Sequence, residues 1–287
     1  MPSLIDLRRR IRSVKSTQQV TKAMKMVSAA KLRRAQDRAI AARPYAAIFS
    51  QMLGDLAAAV AGDETAEGHP LLARRPEKRI LLVLVTSDRG LAGAFNTNLI
   101  KASHQFITEH APAAVRFEVL GRKGRDYWRK HGAGILAERT GISEKPTYAD
   151  AVAIAQEVGG SFERKEADAV YLLCNEFKSI LSQKLTLARV LPIELPAQSS
   201  GADYIYEQPP AELLGSLLPR YVEISIYHAM VESAAAELAA RMTAMDAATE
   251  NAGEMIDKLT LHMNRVRQAS ITKELIEVVS GASAAQE

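Results

Sequence analysis

The sequence predicts an α/β protein: two long terminal helices form an antiparallel coiled coil, and the chain between them folds as a Rossmann-like, mostly parallel sheet domain. Three features point there. No Pro or Gly lies between Ser3 and Arg43. A heptad seam runs from Leu214 to Ser270. Between the two, short and wholly apolar runs alternate with helical stretches, the pattern of strand–helix–strand units. The expected divisions are 1–59 for the first helix, 60–210 for the central domain with its connections, and 211–287 for the last helix.

The first helix is expected from about residue 3 to about residue 59. Its residues are mostly Ala, Arg, Lys, Leu and Met, all good helix formers. Ser3 suits the N-cap, and Asp6 three residues on complements the helix dipole. The apolar stripe begins at Leu4, Leu7, Ile11 and Val14, then shifts to Val20, Met24 and Val27. At about 1.5 Å per residue the helix is roughly 85 Å long, more than one small domain covers.

In the central part, Ile80–Val85 is apolar throughout, as a strand covered on both faces requires. A glycine-rich turn, Ser87 to Asn96, leads to a helix over about 97–109. Strand 115–120, a helix around 125–131, helix 148–164, strand 169–174 and a more exposed strand 185–191 complete the alternation. Segments 60–78 and 196–210 are rich in Gly, Pro and charge and serve as connections.

The last helix is expected over about 211–280. Alternate steps of three and four pick out Leu214, Leu217, Tyr221, Ile224, His228, Val231, Ala235, Leu238, Met242, Met245, Thr249, Ala252, Ile256, Leu259, Met263, Val266 and Ser270. This 3.5-residue period implies a left-handed coil with a partner helix. Because the two long helices sit at opposite ends of the chain, they pair most simply with each other. Small residues such as Ala29, Ala30 and Ala234–Ala236 permit close approach.

Charge is distributed unevenly. Residues 1–45 hold 12 Lys and Arg against 2 Asp and Glu; residues 211–287 hold 6 against 11. The basic stretch lacks interleaved aromatics, which argues against nucleic acid as its partner. No apolar run approaches the roughly 20 residues of a membrane-spanning helix, and the N-terminus lacks an apolar stretch suited to a secretory signal. The single cysteine, Cys174, cannot form an internal disulfide. A reducing, cytoplasmic-side location is expected.

Catalytic chemistry is hard to find. The loop 86–96 stands where sheets of this kind bind ligands, yet Gly90 and Gly93 do not make G-x-G-x-x-G, and no phosphate-binding G-x-x-x-x-G-K-[ST] occurs. The six histidines are scattered, without a metal-binding cluster. No nucleophile–base set stands out, and Asp88–Arg89 reads best as a structural pair.

Three stretches carry a family resemblance. They are Leu7–Lys31 (LRRRIRSVKSTQQVTKAMKMVSAAK), Ser87–Asn98 (SDRGLAGAFNTN) and Arg265–Ala282 (RVRQASITKELIEVVSGA). In this order they resemble the gamma subunit of rotary F-type ATP synthases, and the resemblance spans essentially the whole chain. It implies a central rotor shaft, without a catalytic site, cofactor or nucleotide of its own. The terminal helices would lie inside a ring of alpha and beta subunits, and the sheet domain would rest against the epsilon subunit and the membrane ring of c subunits. The location implied is the cytoplasmic face of a bacterial inner membrane, peripherally bound, with no nucleic acid among the partners.

By the same resemblance, Met24, Arg267, Gln268 and Thr272 contact the alpha and beta subunits, and Tyr204 and Tyr206 approach the c ring and epsilon. The basic face of residues 8–43 suits acidic loops of beta; a merely solvated helix face has the same composition. Residues 194–201 contain no cysteine pair, so the thiol regulation of chloroplast relatives is not expected. Two other classes remain: a nucleotide-dependent enzyme, which lacks a phosphate motif, and a coiled-coil adaptor for nucleic acid, which leaves the C-terminal seam unexplained. Long helices tethered to one small sheet have little apolar cover, so the isolated chain is expected to be partly disordered at its ends.

Overall fold

The computed structural model describes residues 3–60, 68–195 and 206–284. The chain forms two compact units: residues 28–241, and residues 1–27 together with 242–287. Helices α1 (Leu4–Ala59) and α5 (Pro210–Ala284) contribute residues to both.

Within residues 28–241 the strands are β1 (Arg79–Val85), β2 (Ala114–Leu120), β3 (Ile135–Arg139), β4 (Ala169–Phe177) and β5 (Gln183–Leu191). Helices α2 (Phe95–Glu109), α3 (Arg122–Lys130) and α4 (Tyr148–Glu163) make the crossovers. The order across the sheet is β3-β2-β1-β4-β5. All pairings are parallel except β4 with β5, an antiparallel hairpin at one edge. β1 is central and six of its seven residues are buried, which explains its unbroken apolar run. Leu81, Val83 and Val85 face a core built with Ile154, Val158 and Phe162 of α4, and with the parts of α1 and α5 in this unit. By strand alternation, Ile80, Leu82 and Leu84 face the opposite side. There Phe117 stacks on Trp128 of α3 (4.4 Å) and Phe106 of α2 meets Tyr171 edge-on (5.0 Å).

Two expectations need correction here. The strand β3 was not expected, because it is a short, half-buried edge with only Ile135, Leu136 and Ala137 apolar. Every position of the heptad seam expected over 214–238 is buried or half-buried, but this part of α5 buries more than that seam. Leu214, Leu218, Val222 and Ile226 lie in the core at four-residue spacing, while Leu217, Tyr221 and His228 are only half-buried. From Ala229 to Ala239 every residue is buried, so here α5 is enclosed on all sides rather than along one stripe. Ser233, Ala234, Ala235 and Ala236 let neighbouring elements approach that closely.

Two of the buried carboxylates in this unit are held in networks. Arg43 Nε lies 2.7 Å from the enclosed Glu232, its Nη2 donates to the Phe177 carbonyl at 2.7 Å, and the Phe177 amide donates to Glu232 at 3.0 Å. Asp168 accepts from the Arg79 backbone and guanidinium (2.9 and 2.8 Å), fixing the start of β1.

In the other unit, residues 4–27 of α1 run antiparallel to residues 242–270 of α5. The seam on α5 falls where the heptad places it: Met242, Met245, Thr249, Ala252, Ile256, Leu259, Met263, Val266 and Ser270 are all buried or half-buried. On α1 the shift to Val20 and Val27 does not occur; both are more than half exposed. The seam instead keeps its step of three and four through Leu4, Leu7, Ile11, Val14, Gln18 and Thr21 to Lys25. Polar residues hide it from a hydrophobicity scan, and they pair across the seam. Thr249 Oγ1 donates to Thr21 Oγ1 (2.8 Å), Gln18 Nε2 to the Thr249 carbonyl (3.4 Å), and Lys25 meets Asp246 at 2.5 Å. Gly253 sits against the Gln18 amide, where a Cβ would approach to 3.2 Å. At the start of α1, Ser3 and Asp6 bond reciprocally, as a capping pair should.

Candidate partner-binding surfaces

The paired helices present an outer surface that the unit itself leaves uncovered. Arg8, Arg9, Arg10, Arg12, Lys15 and Lys22 are exposed and make no ion pair among the described residues. Beside them Ile5, Val20, Met26 and Val27 of α1, and Met255 and Leu261 of α5, are each at least half exposed. The cross-seam contacts set a register in which Leu4 faces the neighbourhood of Val266. Beyond that point α5 continues without α1 alongside. Ile271, Leu275, Ile276, Val278 and Val279 are 50–69% exposed, an apolar cluster that the sequence analysis did not single out. It was legible only as the loss of a partner stripe, which requires knowing where α1 starts against α5.

The residues chosen from sequence fall on different parts of these surfaces. Met24 is half-buried at the margin of the seam. Arg267 and Gln268 are exposed, and the exposed Thr272 spends its hydroxyl on the Gln268 carbonyl (2.9 Å). Tyr204 lies outside the described residues. Tyr206 is half-buried, packed against the core of residues 28–241. Met24, Arg267, Gln268 and Thr272 thus belong to the unit of the paired helices, and Tyr206 to the unit of residues 28–241.

The loop after β1 is built as a structural junction. Asp88 accepts from the amides of Arg122, Gly141 and Ser143 (3.1, 2.9 and 3.3 Å) and from the Ser143 hydroxyl (2.7 Å). Burial pushes its carboxyl up, but these donors outweigh burial and hold it below the usual range. Thr86 Oγ1 accepts from the Gly124 amide and donates to the Leu120 carbonyl. Gly121 has φ of 98° and its missing Cβ would lie 2.2 Å from the Thr86 carbonyl, so the β2–α3 corner requires glycine. The amides that a phosphate would use at the α3 N-terminus thus already serve the Asp88 carboxylate, the Ser87 carbonyl and the Thr86 hydroxyl. A cavity of about 10 Å³ between Thr86, Ser143, Ser233 and Glu237 matches one water, not a nucleotide.

Around this junction, Lys31 bonds Glu144 (2.6 Å), and Arg241 pairs with the buried Glu237 while reaching the Gly90 carbonyl (3.5 Å). Burial pushes the Glu237 carboxyl up against the pull of Arg241. Cys174 is enclosed, and burial pushes its thiol up to about 12, so it is chemically quiet. Among the described residues no helix is long and apolar enough to cross a membrane, and no cluster of His, Cys, Asp and Glu is arranged to hold a metal ion.

Residues 3–285 match the family described as ATP synthase. The ATP synthase gamma chain of Solibacter usitatus is 66% identical over 286 residues and covers both chains completely. That of Desulfitobacterium hafniense is 50% identical over 284 residues, 99% of each chain. Among solved structures, a chain of the Euglena gracilis mitochondrial ATP synthase (OSCP/F1/c-ring, rotational state 3) superposes with a TM-score of 0.68 at 18% identity, covering 98% of this chain and 94% of that one. A chain of the Tetrahymena thermophila mitochondrial ATP synthase central stalk and c-ring gives 0.62 at 24% identity, covering 80% and 99%. With a sequence match along its whole length and the same fold in both structures, the chain belongs to the ATP synthase gamma-chain family.

Proposed function

We propose that this chain is the rotor shaft of a proton-translocating ATP synthase on the cytoplasmic face of a bacterial inner membrane, coupling rotation of the c ring to conformational cycling of the three catalytic beta subunits. The observation that supports it best is the surface of the paired helices: apolar side chains half or more exposed, interleaved with Arg8, Arg9, Arg10, Arg12, Lys15 and Lys22, which make no ion pair among the described residues. Apolar surface of this extent calls for a protein partner. In this proposal Met24, Arg267, Gln268 and Thr272 meet the alpha and beta subunits, and Tyr204 and Tyr206 meet the c ring and epsilon.

Mechanically, the paired helices can drive beta only if each orientation binds its conformations with different affinity. Moving a two-state site from 1:99 to 99:1 needs about 5.5 kcal/mol of differential binding. The two faces of the pair differ in charge. One carries the basic row of α1, and the other belongs to residues 242–270 of α5, which hold 4 Asp and Glu against 3 Lys and Arg. A smooth or evenly charged rod would turn without preference. The chain itself contributes no chemistry to ATP; its residues supply an uneven surface and the stiffness to carry torque.

The test is reconstitution with cognate alpha and beta subunits, followed by assay of MgATP hydrolysis. A complex containing one copy of this chain, whose sustained hydrolysis depends on it, is the expected result. Well-folded chain that neither joins alpha and beta nor alters their activity overturns the proposal.

A further inference from the structure

A second surface lies within residues 28–241. A groove of about 230 Å³ opens between α4, the 3₁₀ turn Pro70–Leu72 and the first turns of α5. Its floor is apolar, with Leu71 and Val222 buried. Its walls carry Glu163 at the end of α4 and Glu223 on α5. Glu163 makes no hydrogen bond or ion pair among the described residues; Glu223 accepts only from the Tyr148 hydroxyl (2.6 Å). Neither carboxylate makes an ion pair with a nearby cation among the described residues. Arg164 is committed to Glu166 at 2.9 Å, and Arg220 makes no ion pair. Burial disfavours the charged form of neighbouring His69 and so lowers its pKa despite Glu163.

Two consecutive glycines, Gly159 and Gly160, sit inside α4 at this groove. Glycine weakens a helix interior relative to alanine, so it needs a reason there. Gly160 has one inside the chain, since a Cβ would meet the Arg164 guanidinium at 2.9 Å. Gly159 has none: a Cβ built on it meets nothing within 4 Å. The space over Gly159 is open to the groove and unused by the protein.

We propose that this groove seats a basic side chain, Arg or Lys, from a partner polypeptide of the complex, its cationic head between Glu163 and Glu223 and its backbone crossing α4 over Gly159. An apolar floor beneath two carboxylates without an ion-pair partner among the described residues fits a long aliphatic stem with a charged tip. The bare helix backbone at Gly159 lets the partner chain approach more closely than any side chain there would. This inference rests on the proposed function for its partner, but not for its site.

The experiment places a thiol at the groove. In Gly159→Cys the new side chain points into open space, and the native Cys174 is buried and silent. Maleimide labelling rates are compared between the isolated chain and the assembled, ATP-hydrolysing complex. At least tenfold slower labelling in the complex is expected. Equal rates in an active complex overturn the groove while leaving the shaft function standing; failure of the native chain to assemble is instead a failure of the shaft function. Adding Glu163→Gln and Glu223→Gln is expected to restore labelling in the complex to within threefold of the isolated chain. Undiminished protection in that variant overturns the role given to the carboxylates. Slowing of the isolated chain's labelling by spermidine, with no protection in the complex, overturns a polypeptide as the occupant.

Discussion

Glu118 should make the sheet unit less stable as pH rises through neutrality. It lies on β2 opposite Val83 of β1 and Ala137 of β3, is fully enclosed, and neither carboxyl oxygen has a hydrogen-bond partner. The nearest cation, Arg139, is 3.7 Å away through Nε and gives its Nη2 to Glu157 at 2.8 Å. Burial, seconded by Glu157, therefore outweighs Arg139 and pushes the Glu118 carboxyl from 4.5 to about 8. Between those values the folded chain keeps a proton that the unfolded chain has released, so stability is full below pH 4.5 and is lost as pH rises to about 8. The slope is about 1.4 kcal/mol per pH unit, giving about 3 kcal/mol lost by pH 7 and about 5 kcal/mol by pH 9. Glu118→Gln cannot ionise, and its extra amide hydrogens shift its curve by a constant rather than a slope. Chemical denaturation of the full chain and the variant at pH 5, 7 and 9 should show the two curves diverging by several kcal/mol, with Glu118→Met behaving like Gln. Parallel curves across this range would refute the reasoning, because they would mean that water or Arg139 solvates the carboxylate.

Four other outcomes are expected. Arg43→Ala leaves the enclosed Glu232 without its cation and should cost about 3–5 kcal/mol in urea denaturation, against less than 1 kcal/mol for the exposed Lys258→Ala. Asp88→Ala removes the acceptor of three amides and a hydroxyl and should cost about 2–3 kcal/mol at pH 7; since the Asp88 pKa is depressed, the native carboxylate's contribution is present above pH 3.8 and lost as pH falls below it, so the variant's deficit should shrink in acid. In hydrogen exchange on the isolated chain, amides of 271–284 should exchange far faster than those of β1 and β4, because this part of α5 has no covering element; strong protection there would contradict the exposed surface. Millimolar MgATP should move the Tm of the isolated chain by less than about 1 °C, given that the strand-end amides already serve Asp88; a shift of several degrees would show a nucleotide site.

The sequence by itself determined the secondary structure of the terminal helices, the parallel order implied by alternating strands and helices, and the seam on α5 beyond Met242. These depend on local propensity and on periodicities that a single helix or strand carries in its own residues. Ser3 with Asp6, and the apolar run of β1, are legible for the same reason. Tertiary structure alone decided three things. The α1 seam passes through Gln18, Thr21 and Lys25, which declare themselves only through partners some 220–230 residues away. Between Ala229 and Ala239, α5 is buried on every side, and small residues there fit either a slender two-helix pair or a helix enclosed by a sheet domain. Finally, Glu163 and Glu223 stand 60 positions apart in sequence and face one groove only because α4 and α5 pack on the same side of the sheet. Periodicity records which face of an element is buried; which element buries it, and what is left uncovered, depends on long-range packing that no local pattern encodes.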